Sequence, residues 1–398
     1  MRELRIIGGG MGNPLLLTEE AKCLLQECGE VYAFDRMAKL LGCLHPNIKK
    51  CAYQELTTLL LQSEAEKIGV LVSGDSGFFS VSALLERNVG DRFRIVRTCG
   101  INSLQYLASK LNFNYEAVNI VSLHGRSGSL LGSIAYHRDT FVLAGSDHRP
   151  ADILRELVDC GLGGIKVCVG EFLSMEEERI LTGTVKQLSA EEFDPLSVLL
   201  FQNEHPAAAA QPLFDRELQR DKVPMTKQEV RWTSVNELEL MPEDIVYDIG
   251  AGTGSVSVEM ARKVCSGIVY AIEKEEDAYL LLNKNKERFG AFNIITRFGN
   301  AIDHLRELPV PDKAFIGGSG QELEEILAYL FEVNPGIKIV INAITLETLS
   351  SAMALFTKHN CEVQVTCMNI SRNKIAGAYN LMMANNPVYI LAGKKKQG

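Results

Sequence analysis

Apolar residues fall into short β-branched runs, and between the runs they recur at every third or fourth position, the pattern of strands joined by amphipathic helices. In the second half the runs are "DIVYDIG", "GIVYAIE", "FNIITRF", "DKAFIGG", "IKIVINA", "CEVQVTC" and "PVYILAG". Residues 277–289 and 321–331 carry the helical period between them. Such alternation predicts a mostly parallel sheet covered on both faces. The closing runs, 362–366 and 388–391, are separated by "MNISRNKIAGAYNLMMANN", which reads as a long irregular connection. The first half alternates too, through "LRIIGG", "VYAF", "IGVLVSG", "FRIVR", "TFVLAG", "KVCVGE" and "LSVLLFQ", with a helical stretch over 151–160. Both halves are therefore expected to be α/β.

The pattern breaks at "NEHPAAAAQPLFDRELQRDKVP", where alanines, prolines and charges replace the periodic apolar positions. A linker is expected over 203–223, between domains at 1–202 and 224–398. The length of 398 residues favours more than one core. A formal charge of −9 provides no broad positive field for a phosphate backbone, so a small molecule is the expected substrate and nucleic acid is not. No run approaches the ~20 apolar residues of a membrane span, and the N-terminal run is too short for a signal peptide, which points to the cytoplasm. The 10 cysteines contain no C-x-x-C pair and are expected to be reduced and mostly buried. The 7 histidines form no metal-binding spacing, so no metal is expected.

Candidate chemistry lies in the glycines. "VYDIGAGTGSVSVEMA" places Asp248, Gly250, Gly252 and Gly254 where a strand turns into a helix, and Ser255 stands where the dinucleotide fingerprint needs its third glycine. The next strand ends in Glu273, a carboxylate able to accept two ribose hydroxyls, and "FGNA" places Asn300 and Ala301 after a third strand. This order resembles the class I S-adenosylmethionine-dependent methyltransferases, with their Rossmann-like fold. With its flanks, "PMTKQEVRWTSVNELELMPEDIVYDIGAGTGSVSVEMA" and "GGSGQELEEIL", the region from Pro224 to Gly393 resembles the decarboxylating C15-methyltransferases of corrin biosynthesis. The resemblance implies that the segment holding Lys227, Glu229 and Arg231 caps the tetrapyrrole end, and that Gly317, Gly318 and Ser319 lie beside cofactor and substrate. Asn300 replaces that family's usual Asp and keeps an acceptor.

The opening cluster "GGGMGNP" fits neither the dinucleotide fingerprint nor a P-loop. Its companions "VSGDSGFFSVSALL", "CGINSLQYLASKL", "VSLHGR" and "VGEFL" resemble the C5-methyltransferases of the tetrapyrrole methylase family over Glu3 to Gln202. That resemblance implies two small α/β lobes with S-adenosyl-L-methionine in the cleft between them. Gly74, Asp75, Ser76 and Phe78 would hold the methionine end, Asn102 and Ser103 would line the same pocket, and Leu143, Ala144 and Gly145 would approach the adenosine. Met11 and Asn13 replace a proline and an aspartate of the family's opening loop, which leaves that loop's role open. Arg126 joins Lys227 and Arg231 as a candidate partner for substrate carboxylates, and Glu229 is a candidate proton carrier.

Together the two resemblances imply one cofactor used twice, to methylate two bridge carbons of a tetrapyrrole and to release a ring acetate as carbon dioxide. Cobalt in the macrocycle is left open, and a homo-oligomer is expected by resemblance alone. The competing readings are a nicotinamide-dependent dehydrogenase, an RNA methyltransferase and a non-catalytic S-adenosylmethionine sensor.

Overall fold

The computed structural model describes residues 2–123, 129–145, 148–208, 211–318, 320 and 322–396. The chain divides into two compact units, one of Met1–Arg126, Asp139–Glu156 and Lys166–Phe201, the other of Ser127–Arg138, Leu157–Ile165 and Gln202–Gly398. The stretch expected as a linker belongs to the second unit and is packed there. Its Leu213 and Leu218 are buried in the core beside Val256 and Val258. Asn285 accepts from the Gln219 amide at 2.9 Å and donates to the Gln219 carbonyl at 2.8 Å, while Arg262 Nε donates to the Ala208 carbonyl at 2.8 Å. Polar composition suggested a free segment, but fixed backbone partners make it a strap. Residues 129–138 also fold into this unit, where Tyr136 donates to Asn293 at 3.2 Å. The long final segment of the second unit begins at Gln202, beside the expected boundary, while two earlier segments of the expected first domain also fall in the second unit.

The first unit holds two sheets. One contains β1 (Arg2–Gly8), β2 (Glu30–Ala33), β3 (Ile48–Lys50), β4 (Lys67–Val72) and β5 (Phe93–Arg97) in the order β3-β2-β4-β1-β5, with every pair parallel. The other contains β6 (Asn119–Ser122), β7 (Asp139–Leu143), β8 (Lys166–Glu171), β9 (Arg179–Thr184) and β10 (Ser197–Gln202) in the order β6-β7-β10-β8-β9. Leu4, Ile6, Ile7, Val70 and Leu71 are all buried, as continuous apolar runs should be when both sheet faces are covered.

The second unit is built on one sheet of seven strands: β11 (Ile245–Ile249), β12 (Ile268–Glu273), β13 (Ile294–Phe298), β14 (Lys313–Ile316), β15 (Lys338–Ala343), β16 (Cys361–Met368) and, after a hairpin, β19 (Val388–Lys395). Their order is β13-β12-β11-β14-β15-β19-β16, and β19 runs antiparallel to both of its neighbours. The chain winds outward in both directions from β11 and β14, so the ends of these two strands form the switch point where α/β sheets bind ligands. The expected irregular connection before β19 is instead a two-stranded hairpin, β17 (Ser371–Ala376) paired with β18 (Tyr379–Ala384). Gly377, at φ +62°, makes its turn. Ile375, Tyr379, Leu381, Met382 and Met383 are exposed on the hairpin, so no burial pattern marked it as sheet.

Cysteine burial differs from expectation. All 10 cysteines are free thiols, but Cys23, Cys43, Cys99 and Cys367 are exposed. No metal-binding cluster occurs among the described residues, and no described helix is long and apolar enough to cross a membrane.

Candidate cofactor and substrate sites

In the first unit the two glycine clusters meet. Gly10 and Gly74 form an antiparallel bridge, the Gly74 amide donating to the Gly10 carbonyl at 2.6 Å and the Gly10 amide to the Gly74 carbonyl at 3.2 Å. Both residues have positive φ, +55° and +71°, which glycine adopts without strain. The bridge brings Met11 to a cavity of about 300 Å³ that is also lined by Gly74, Phe78, Asn102, Ser103, Leu143 and Ala144. Asn13 acquires a definite role, since its Oδ1 accepts from the Leu15 amide at 3.0 Å and its Nδ2 donates to the Ser174 carbonyl at 3.0 Å.

Three expected contacts stand behind this cavity rather than on it. Asp75 uses Oδ1 to accept from the Gly77 amide at 2.8 Å and Oδ2 to accept from the Gly100 amide at 2.9 Å, so it shapes the turn. Ser76 is buried and receives the Ser82 hydroxyl on its carbonyl. Gly145 pairs with His148 in a bridge. Asn102 lines the cavity and also caps the helix Ser103–Leu111 through a reciprocal pair with Gln105. Arg126 lies outside the described residues. Sequence reading missed Arg36, whose Nη2 donates to the Ser73 hydroxyl at the edge of the same cavity.

In the second unit Gly250, Gly252 and Gly254 have φ of +72°, +57° and +75°. A Cβ on Gly250 would stand 2.2 Å from the Gly318 carbonyl oxygen, and one on Gly254 would stand 2.4 Å from Leu282 Cδ1, so close approach as well as φ demands glycine here. Glu273 Oε2 accepts from the Gly252 amide at 2.6 Å, and Oε1 accepts from the amides of Lys274 and Glu275, both at 2.9 Å. Oε1 is filled by its two amides, and Oε2 retains acceptor capacity for a ligand hydroxyl.

Two cavities meet at Gly250. One, of about 280 Å³, is lined by Ile249, Gly250, Glu273, Gly299, Ala301 and Gly318. The other, of about 260 Å³, is lined by Thr226, Lys227, Gly250, Gly252, Gly317 and Asn342, among others. Among the described residues, Lys227 is the only ionisable side chain on the second cavity. S-adenosylmethionine fits this arrangement: a carboxylate with a free acceptor site lies on one side of a turn without side chains, and open space lies on the other.

Other expected residues take supporting places. Asp248 is fully buried under the turn, with Ser257 donating to Oδ2. Burial pushes its carboxyl up to about 7 against the lowering effect of that hydroxyl. Asn300 is exposed and does not line the adenosine-side cavity, although its neighbours Gly299 and Ala301 do. Ser319 lies outside the described residues.

Arg231, expected to meet substrate carboxylates, is 0% exposed. Its Nη1 donates to the Thr226 carbonyl at 2.9 Å and to Asp215 at 3.2 Å, its Nη2 to the Leu213 carbonyl at 2.5 Å, and its Nε lies 3.6 Å from Glu259. It is a clamp joining the strap to the segment before the helix Gln228–Glu237. Glu229, expected as a proton carrier, receives Arg372 Nη2 at 2.5 Å. Burial pushes the Glu229 carboxyl up, and the Arg372 contact outweighs it, leaving the group below the ordinary range and ionised. Of the three candidates in "MTKQEVR", Lys227 alone lines the cavity.

Residues 3–189 match the family described as tetrapyrrole (corrin/porphyrin) methylases, and residues 217–395 match the precorrin methyltransferase domain. The chain is 40% identical, over 45% of its own length and 91% of the relative's, to a probable cobalt-precorrin-6B C(15)-methyltransferase (decarboxylating) of Pyrobaculum calidifontis. It is 29% identical to a precorrin-6Y C(5,15)-methyltransferase [decarboxylating] of a Sinorhizobium species, over 86% of this chain and 84% of that one. A crystal structure of a precorrin-6y C5,15-methyltransferase from Geobacter metallireducens is 35% identical, covering 46% of this chain and 96% of that one, with a TM-score of 0.45. The chain belongs to the decarboxylating precorrin methyltransferases, with a tetrapyrrole methylase domain preceding the C15-type domain.

Proposed function

We propose that the chain is a bifunctional corrin-ring C-methyltransferase of cobalamin biosynthesis. The first unit methylates C5, and the second methylates C15 of a precorrin-6B-type tetrapyrrole and removes the ring C acetate. The observation that carries this reading is the pair of cavities joined at Gly250, with the Glu273 carboxylate at one end and, among the described residues, Lys227 as the single cation at the other.

S-adenosylmethionine, held by Gly250, Gly252 and Glu273 in one unit and by Gly74, Asn102 and Ala144 in the other, supplies an activated methyl group. The residues around it orient the acceptor carbon and exclude water, so no protein nucleophile is required. Lys227 pairs with a peripheral carboxylate of the macrocycle. When the acetate leaves as carbon dioxide, the electron pair of the broken carbon–carbon bond passes into the conjugated ring. Because Glu229 is ionised against Arg372, the decarboxylation proton is not assigned to it.

The exposed apolar side chains of the hairpin β17–β18 support self-association. The test of function is incubation of the full chain with S-adenosylmethionine and precorrin-6B, in metal-free and cobalt forms. The expected product has gained two methyl groups and lost one carbon dioxide, and an unchanged substrate in both forms refutes the assignment.

A further inference from the structure

β2 and β4 are adjacent parallel strands, with Ala33 opposite Leu71, so the chain leaves both at the same edge of the sheet. Arg36 follows β2 at the start of the helix Asp35–Leu41, and Ser73 directly follows β4. Arg36 Nη2 donates to the Ser73 hydroxyl across the gap between the two strand ends. Both residues line the cavity that Gly74, Phe78, Asn102 and Ala144 also line. This is the carboxyl edge of an open parallel sheet, where α/β folds bind their ligands.

Among the described residues lining this cavity, Arg36 is the only ionisable one. It is half-buried, and burial is the one influence on its guanidinium, lowering its pKa with no acid to offset the effect. The neighbouring Asp35 is turned elsewhere, to Lys39 at 3.1 Å and to Lys50. A guanidinium has five N–H donors, and the Ser73 hydroxyl takes one of them. No unpartnered nitrogen of Arg36 is sealed away from solvent, so the remaining donors are open to a bound molecule. A cation partly withdrawn from water without a counter-ion is costly, and an arriving anion relieves that cost.

We propose that Arg36 pairs with a carboxylate of a molecule bound in this cavity and thereby orients it for transfer of the methyl group to C5. The proposal rests on the functional reading above and adds a specific contact to it. Two sources share this chemistry: the amino-acid end of S-adenosylmethionine and the acidic side chains around the macrocycle. With Ser73 holding one corner of the planar fork, the other N–H groups can form the paired bonds that suit a carboxylate.

The test uses the full chain with Arg36→Met, which keeps an apolar stem, and Arg36→Lys, which keeps the charge. Calorimetry compares S-adenosylhomocysteine with methylthioadenosine, which lacks the amino-acid end, at the site that remains in Gly250→Ala. The C5 step on precorrin-6B is followed by mass, as a methyl group gained without loss of carbon dioxide, at saturating S-adenosylmethionine. If the carboxylate belongs to the macrocycle, Arg36→Met raises the C5 KM ~10- to 100-fold and leaves S-adenosylhomocysteine affinity within twofold of wild type. If it belongs to the cofactor, S-adenosylhomocysteine affinity falls by that factor while methylthioadenosine affinity holds. In either case Arg36→Lys loses less. An S-adenosylhomocysteine affinity and a C5 KM both within twofold of wild type in Arg36→Met overturn the proposal. So does an equal loss of affinity for S-adenosylhomocysteine and methylthioadenosine, which marks a disturbed cavity and not a lost carboxylate contact. If the wild-type chain itself leaves the tetrapyrrole unmethylated, the functional reading fails and this extension fails with it, an outcome distinguished by arising without any substitution.

Discussion

The Glu273 carboxylate accepts the Gly252 amide at 2.6 Å, so the acid at the end of β12 and the glycine turn after β11 form one unit. Removing the carboxylate would disturb the glycine turn and, on the proposed function, a ribose contact as well. Glu273→Ala is expected to weaken S-adenosylhomocysteine binding by ~10- to 100-fold, the scale of a lost charge-assisted hydrogen bond. Glu273→Gln, which keeps one oxygen, loses less. Calorimetric titration of the two variants checks the order, and equal losses would contradict it.

The buried Asp248 makes stability depend on pH in an unusual direction. Its folded-state pKa is raised to about 7, so above the ordinary aspartate range the folded chain holds a proton that the unfolded chain has released. The resulting stabilisation is full at low pH and falls as pH rises toward 7, with a slope of at most about 1.4 kcal/mol per pH unit. Above that value the contribution is gone. Asp248→Asn cannot ionise and removes this component. Urea unfolding of wild type and variant between pH 5 and 8 measures the difference, which should grow as pH falls in favour of wild type.

Arg231 predicts a loss of stability before a loss of substrate recognition. Its guanidinium is wholly enclosed, and its removal leaves Asp215 and Glu259 facing a vacated site. Arg231→Ala is expected to cost about 3–5 kcal/mol, typical for breaking one side of a buried ion pair. A variant as stable as wild type in urea, with substrate affinity alone reduced, would restore Arg231 to the binding site.

Lys227 predicts the converse. As the one ionisable residue among the described residues lining the cavity proposed for the tetrapyrrole, its replacement by alanine should raise KM for that substrate about 10-fold, near 1.4 kcal/mol. Stability and S-adenosylhomocysteine affinity should be unchanged. Steady-state kinetics of C15 methylation with calorimetry alongside separate the two effects.

The contrast between Arg231 and Lys227 shows what the sequence could reveal. Glycine turns and the acid after the next strand are local signals whose spacing follows from backbone geometry, and they led to the cavities at Gly74 and Gly250. The fate of a charged side chain depends on partners far along the chain. Arg231 is buried because the 213–215 strap folds over it, and Glu229 is held as the ionised partner of Arg372. The spacing of "MTKQEVR" carries neither fact. The hairpin β17–β18 escaped because its apolar residues face outward on both strands and show no alternation of burial.

The central claim is that one chain carries two working cofactor sites. Calorimetric titration of the intact chain with S-adenosylhomocysteine tests it most directly. Two binding sites per chain are predicted, with one lost in Gly250→Ala, where the new Cβ would meet the Gly318 carbonyl. A single site in the wild-type chain, or none, would contradict the account.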